Sequence, residues 1–137
     1  MASRLNPYLG FDGNAREAME FYQDVFGGEL VLMTFGDMGE QDPERASKIM
    51  HGQLETPAGY TLMAGDPPPG QSAPWGTSFS VSLSGGADDA AELRGYWEKI
   101  STGAEITCPL DKQMWGDEFG SCNDRFGVSW LVNIGQA

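Results

Sequence analysis

The order of secondary-structure signals in this chain runs once, breaks at a stiff proline-rich connector, and runs again. In the first pass Leu5–Asp12 reads as a short strand, with Pro7 near its start, where proline is tolerated. Asn14 with Glu17 three residues on reads as a capping box that opens a helix. Ala18, Met19, Tyr22, Val25 and Phe26 recur at helical spacing as one apolar face, and Gly27-Gly28 ends the helix. Glu29–Gly36 is β-rich, and the polar stretch 37–47 reads as a loop with room for one helical turn. Lys48–Glu55 and Tyr60–Ala64 are strands joined by the turn signal Thr56-Pro57-Ala58-Gly59. Asp66–Pro74, with Pro67, Pro68 and Pro69 in succession, is a stiff extended connector. The second pass then begins. Thr77–Ser84 is a strand, and Asp89 with Glu92 is a second capping box. Ala90, Leu93, Trp97 and Ile100 form the next helical face, which Gly103 ends. Glu105–Gln113, Glu118–Asn123 and Val128–Ile134 are three more strands.

The result is β-α-β-β-β written twice, an α+β chain. Phe21-Tyr22 in the first helix is echoed by Tyr96-Trp97 in the second, and Gly28-Glu29-Leu30 by Gly103-Ala104-Glu105-Ile106. A repeat of this size reads as one structural unit duplicated. The expected organisation is a single domain over 1–137: module one at 4–66, a linker at 67–75 and module two at 76–135.

Composition narrows the partners. Lys plus Arg is 8 against Asp plus Glu 20, for a net charge of -12, which disfavours nucleic-acid backbones and anionic membranes. No apolar run has the length of a membrane span, and the first residues carry no apolar signal core, so a cytoplasmic protein is expected. Cys108 and Cys122 form no CxxC motif. A hairpin turning near Trp115-Gly116 would bring them close enough for a disulfide, whereas a cytosolic chain keeps them as free thiols. The single histidine, His51, excludes His-rich zinc motifs. No Gly-x-Gly-x-x-Gly after a strand, no Walker sequence and no Gly-x-Ser-x-Gly elbow is present.

The blocks Leu5-Asn6-Pro7-Tyr8-Leu9-Gly10-Phe11, Ala15-x-x-Ala18-Met19-x-Phe21-Tyr22-x-x-Val25-Phe26-Gly27-Gly28, Ile49-Met50-His51-Gly52-Gln53-Leu54, Leu62-Met63-Ala64-Gly65-Asp66, Gln113-Met114-Trp115-Gly116-Asp117 and Asp124-Arg125-Phe126-Gly127-Val128-Ser129-Trp130 span nearly the whole chain. In combination they resemble the vicinal oxygen chelate superfamily of glyoxalase I, bleomycin-resistance proteins and extradiol dioxygenases, and most closely its PhnB-like branch. The resemblance implies paired βαβββ modules forming curved mixed sheets, helices outside, a cavity inside and a homodimer. Members of this branch are sometimes labelled as methyltransferases acting on a demethylated ubiquinone, a label that no nucleotide-type glycine loop supports here.

The superfamily's chemistry uses a divalent metal held by His, Gln and Glu from the first and last strands of each module. Carried onto this chain, those positions fall on Pro7, Met63, Leu131 and one of Ser78, Ser80 or Ser82. A slip of one residue gives Tyr8, Leu62 or Ala64, and Trp130 or Val132, which are no better as hard-metal ligands. No metal or other cofactor is therefore expected. Strand alternation supplies a lining instead. Phe79, Val81 and Leu83 should pack under a helix and turn Ser78, Ser80 and Ser82 toward the cavity, or toward solvent. Ser129, Leu131 and Asn133 share a face, as do His51, Gln53 and Glu55. His51 and Glu55 lie about 13 Å apart along an extended strand, too far to bond each other or share a metal. Trp115, at a glycine turn, either walls a pocket or packs on another subunit.

The candidate ligand-binding set is His51, Gln53, Glu55, Ser78, Ser80, Trp115, Leu131 and Asn133. It points to a small polar metabolite bound in a dimeric cavity without the superfamily's metal. The alternatives are a divalent-metal-dependent lyase or dioxygenase, and a protein that sequesters a drug or toxin. The prolines at 67–69 are compatible with pairing between subunits and with pairing inside one chain.

Overall fold

A computed structural model describes residues 4–68 and 79–136. The chain divides into two compact units, Met1–Gly76 and Thr77–Ala137. Unit one contains β1 (Tyr8–Gly10), α1 (Ala15–Phe26), β2 (Glu29–Thr34), α2 (Pro43–Ala46), β3 (Ile49–Glu55) and β4 (Thr61–Gly65). Unit two contains β5 (Val81–Gly85), α3 (Ala90–Ile100), β6 (Glu105–Lys112), β7 (Glu118–Asn123) and β8 (Ser129–Ile134). Each forms a four-stranded sheet, ordered β1-β4-β3-β2 and β5-β8-β7-β6. The first strand of each unit runs parallel to the last, and the other pairs are antiparallel. The shared connectivity has one cause. A helix returns the chain after the opening strand, and a three-strand meander then ends beside that strand.

In unit one, α1 packs on β2, β3 and β4. Its Ala15, Ala18, Met19, Tyr22, Val25 and Phe26 are all buried, as the helical spacing requires. Beneath it lie Leu9, Ile49, Leu54, Leu62 and Ala64. Burying a side chain such as Met19 contributes about 1.5–3 kcal/mol. The start of α1 departs from the expected capping box, because the Asn14 side chain makes no cap bond. Buried Asp66, just past β4, takes its place. Its Oδ1 accepts from Gly13 N at 2.8 Å and Ala15 N at 3.1 Å, and its Oδ2 from Ile49 N at 3.0 Å. A carboxylate from the last strand thus reaches the positive end of the helix and ties it to β3. At the other end Gly28 has φ +102, and a Cβ there would stand 2.0 Å from the Glu55 carbonyl oxygen. Only glycine lets β2 start this close to the end of β3. The loop 37–47 holds a 3-10 turn at Gly36–Met38 and the short α2, whose Asp42 cap accepts from Glu44 N at 3.0 Å.

Unit two is built alike but packs less deeply. In α3 only Leu93 and Ile100 are buried, while Ala90 and Trp97 are half-buried. They cover Leu83, Cys122, Trp130, Val132 and Ile134. Asp124 anchors the β7–β8 turn. Its Oδ1 accepts from Phe126 N at 2.9 Å and Val128 N at 3.0 Å, and its Oδ2 from the Trp130 indole at 2.9 Å. Two expectations fail here. Asp89 does not cap α3 with its side chain; its carboxylate turns back to Gly86 N at 3.2 Å and closes the 3-10 turn Ala87–Asp89. Phe79 is 65% exposed and not under a helix, because β5 starts at Val81, so the alternation that would bury Phe79 does not reach it. Cys108 and Cys122 are both free thiols. From residue 69 onward the expected linker 67–75 lies outside the described residues, as does Ser78.

Candidate functional site

Each sheet has one face under its helix and one turned away. On β3 the helix face carries Gly52 and Leu54, which are buried, and the other face carries His51, Gln53 and Glu55, which are half-buried. The register sets Met33 opposite His51, and Val31 and Met63 on either side of Gln53. Tyr8 stands beside Met63 on the parallel strand. The polar side chains of this face form one connected row. Tyr8 Oη lies 3.2 Å from His51 Nδ1, and His51 Nε2 lies 3.4 Å from Gln53 Oε1. Gln53 Nε2 donates to Glu55 Oε1 at 2.6 Å, and Thr61 Oγ1 donates to Glu55 Oε2 at 2.6 Å. Arg4 Nη1 donates to Thr61 Oγ1 at 3.0 Å and sits 3.6 Å from Glu55 Oε2. The bonds from Thr61 and Gln53, helped by the Arg4 charge, hold the Glu55 carboxyl below its ordinary range. Burial pushes the Tyr8 phenol above its ordinary value. Val31 is 64% exposed and Met33 38%, so apolar surface flanks the row.

On the equivalent face of unit two, Ser129, Leu131 and Asn133 of β8 are half-buried while Trp130, Val132 and Ile134 point the other way. Ser82 stands beside Leu131. Ser80 Oγ lies 2.7 Å from Ser129 Oγ, and Asn133 Nδ2 donates to Asp117 Oδ2 at 3.1 Å. Trp115, 59% exposed, stacks edge-on over Phe119 with ring centroids 6.1 Å apart. Phe119 pairs with Asn133, which places Trp115 at the margin of this face. On β6, Thr107 Oγ1 lies 2.7 Å from Ser121 Oγ.

The residue expectations thus resolve into two groups. His51, Gln53 and Glu55 come together in unit one; Ser80, Leu131, Asn133 and Trp115 belong to unit two. His51 and Glu55 do not touch each other, as the strand rise implies, and Gln53 bridges them. Met63 stands beside Tyr8 on the first strand, and not beside Pro7. The parallel strand pairs set Tyr8 beside Met63, and Ser82 beside Leu131. A thioether, an alkyl chain and hydroxyls do not fit a hard divalent metal, which takes imidazole or carboxylate. Among the described residues, no three His, Cys, Asp or Glu side chains come together as a metal cluster. Sequence reasoning missed Thr61 and Arg4 and gave Tyr8 no role. Thr61 was within reach, since it pairs with Glu55 across the short β3–β4 turn. The partnership of Tyr8 with His51 depends on β1 lying parallel beside β4, and no local signal announces that.

The pattern of the family described as 3-demethylubiquinone-9 3-methyltransferase matches residues 3–133. Protein PA1353 from Pseudomonas aeruginosa is 35% identical, with a TM-score of 0.80 over 99% of this chain and 100% of its own. A PhnB protein from Bacillus cereus, described as a putative 3-demethylubiquinone-9 3-methyltransferase, is 23% identical, with a TM-score of 0.73 over 97% of this chain and 100% of its own. A glyoxylase/bleomycin resistance protein/dioxygenase domain from Frankia sp. EAN1pec is 12% identical, with a TM-score of 0.67 over 99% of this chain and 93% of its own. The last two are likenesses of fold.

Proposed function

The chain belongs to the PhnB-like family described as 3-demethylubiquinone-9 3-methyltransferase, on the glyoxalase/bleomycin-resistance/dioxygenase fold, and we propose that it binds a small polar organic molecule as a homodimer without a resident divalent metal. One observation carries the reading. The row Tyr8–His51–Gln53–Glu55–Thr61 lies on an accessible sheet face between Val31, Met33 and Met63. Convergent polar groups set in apolar surface are what a small-molecule site needs. Met63 and Leu131, at the superfamily's ligand positions, support the absence of a metal. The exposed apolar groups Tyr8, Val31 and Met33 support a covering partner, because such surface is stabilised by burial. The net charge of -12 argues against nucleic acid. No helix among the described residues is long and apolar enough to cross a membrane, and the free thiols suit a reducing cytoplasm.

The test is native mass spectrometry of the protein after exposure to a metabolite extract, with elemental analysis and sedimentation on the same preparation. A captured small molecule on a metal-free dimer is the expected result. Near one equivalent of zinc, nickel, iron or manganese per chain, lost on mutating His51 or Glu55, would overturn the metal-free reading. A monomer at micromolar concentration would overturn the dimer. Turnover assays on the captured molecule, methyl transfer included, then separate a binding protein from an enzyme.

A further inference from the structure

We propose that Tyr8 and His51 form a proton-accepting pair, in which Tyr8 Oη meets an acidic hydroxyl of the ligand, a phenol or an enol, and His51 Nδ1 takes the proton that Tyr8 gives up. This rests on the ligand-binding reading of the same face and names the chemistry of the ligand.

The donors and acceptors along the row fix the proton on each member. A carboxylate only accepts and a guanidinium only donates. Arg4 donates to Thr61 Oγ1, so the Thr61 proton goes to Glu55 Oε2. Glu55 Oε1 accepts from Gln53, so the Gln53 amide turns its NH2 toward Glu55 and its oxygen toward His51. That oxygen accepts only, so the proton of a neutral His51 sits on Nε2. Nδ1 is then left with a lone pair, and the group 3.2 Å from it is the Tyr8 hydroxyl. The Tyr8 proton is committed to His51, and the remaining lone pairs of its oxygen are free to accept from a ligand. Glu55 and Gln53 are positioning residues that choose the tautomer through this chain.

Three further observations fit. Tyr8 is 47% exposed, so its oxygen can be reached. Its phenol is held above the ordinary value by burial, so it stays protonated and able to donate at neutral pH. Gly65 makes room for it: a Cβ there would lie 3.0 Å from Tyr8 Oη. The step balances. The ligand O–H bond breaks as Tyr8 Oη takes that proton, and the Tyr8 O–H bond breaks as Nδ1 takes the other. The products are a ligand oxyanion, neutral Tyr8 and an imidazolium, with no change of oxidation state. An imidazole is a weak base whose ordinary value of about 6.5 lies well below the value of about 10 of a plain phenol, so only a phenol or enol acidified toward the imidazole range gives up its proton to it, and an aliphatic alcohol does not.

The chain has one histidine, so nitrogen NMR of the full-length protein reads His51 without assignment. Three proteins are compared at pH 7.5: wild type, Glu55→Gln and Tyr8→Phe, each with and without 3-nitrophenol, whose phenolate is read by its absorbance. The wild type should show the Nε2–H tautomer. Glu55→Gln should add Nδ1–H signal, because Gln53 is then free to turn. Adding 3-nitrophenol to the wild type should raise phenolate absorbance and give His51 the imidazolium signature together. Tyr8→Phe should lose both changes. A wild-type Nδ1–H tautomer, no effect of Glu55→Gln, 3-nitrophenol unbound at millimolar concentration or bound as neutral phenol, or a Tyr8→Phe protein that behaves as wild type would each overturn the proposal. If a metabolite is captured while the NMR result fails, the pair falls and the binding reading stands. If the tautomer and proton transfer appear but no metabolite is captured, the pair stands and the metabolite reading falls.

Discussion

Asp66 holds unit one together at the point where helix and sheet meet, and replacing it tests that account. Its carboxylate takes three backbone N–H groups at 2.8, 3.1 and 3.0 Å, those of Gly13, Ala15 and Ile49. The bonds to Ala15 and Ile49 are buried, so water cannot replace the carboxylate there. A buried donor left without a partner costs about 1–3 kcal/mol, and the lost helix-end interaction adds about 0.3–1 kcal/mol. Asp66→Ala should therefore destabilise by about 3–5 kcal/mol, and the thermal midpoint should fall by about 10–20 °C on the size scaling of small domains. Asp66→Asn is the sharper probe. Its one carbonyl oxygen can serve Gly13 and Ala15, but its NH2 then faces Ile49 N, donor against donor. It should retain part of the stability and still lose about 2 kcal/mol. Urea unfolding followed by far-UV circular dichroism measures both. An Asp66→Ala protein within about 1 kcal/mol of wild type, or an Asp66→Asn protein equal to it, would refute the reasoning.

Gly28→Ala should cost at least about 3 kcal/mol by the same assay, since it combines positive-φ strain with a Cβ placed on the Glu55 carbonyl; a neutral effect would mean that β2 starts elsewhere. Cys122 is pushed up from 9.0 to about 11 by burial, with the Asp124 charge adding to it, while Cys108 is less buried. At pH 8 a thiol reagent should therefore label Cys108 well before Cys122, as peptide mapping would read. The stability tied to the Cys122 proton is fully present below about 9 and is lost as pH rises toward 11, so denaturation midpoints of wild type and Cys122→Ala should converge over that range. Trp115→Ala removes the edge-on contact with Phe119 and should lower the stability by about 0.5–1.5 kcal/mol in the same urea assay; an unchanged unfolding midpoint would mean that the two rings do not pack on each other.

Local physics made most of the elements legible in the chain itself. The apolar face of α1 and the glycines after it follow from helical periodicity, and the β3 and β8 faces follow from alternation. These signals depend on neighbours a few residues apart, so they survive without a structure. The repeated order of elements set the duplicated plan in the same way. What failed was mostly what depends on a partner distant in sequence or on where an element begins. Asn14 looks like the cap of α1, yet Asp66 wins because the parallel return of β4 beside β1 carries a stronger acceptor to the helix end. Phe79 looks like a buried strand residue, yet it precedes the paired part of β5. The site shows the same division. His51, Gln53 and Glu55 could be placed on one face from the sequence, because alternation alone does that. Their union with Thr61, Arg4 and Tyr8 required the register of β3 on β4 and of β4 on β1. A hydrogen bond needs its atoms within about 3 Å, and only tertiary packing brings residues tens of positions apart to that distance.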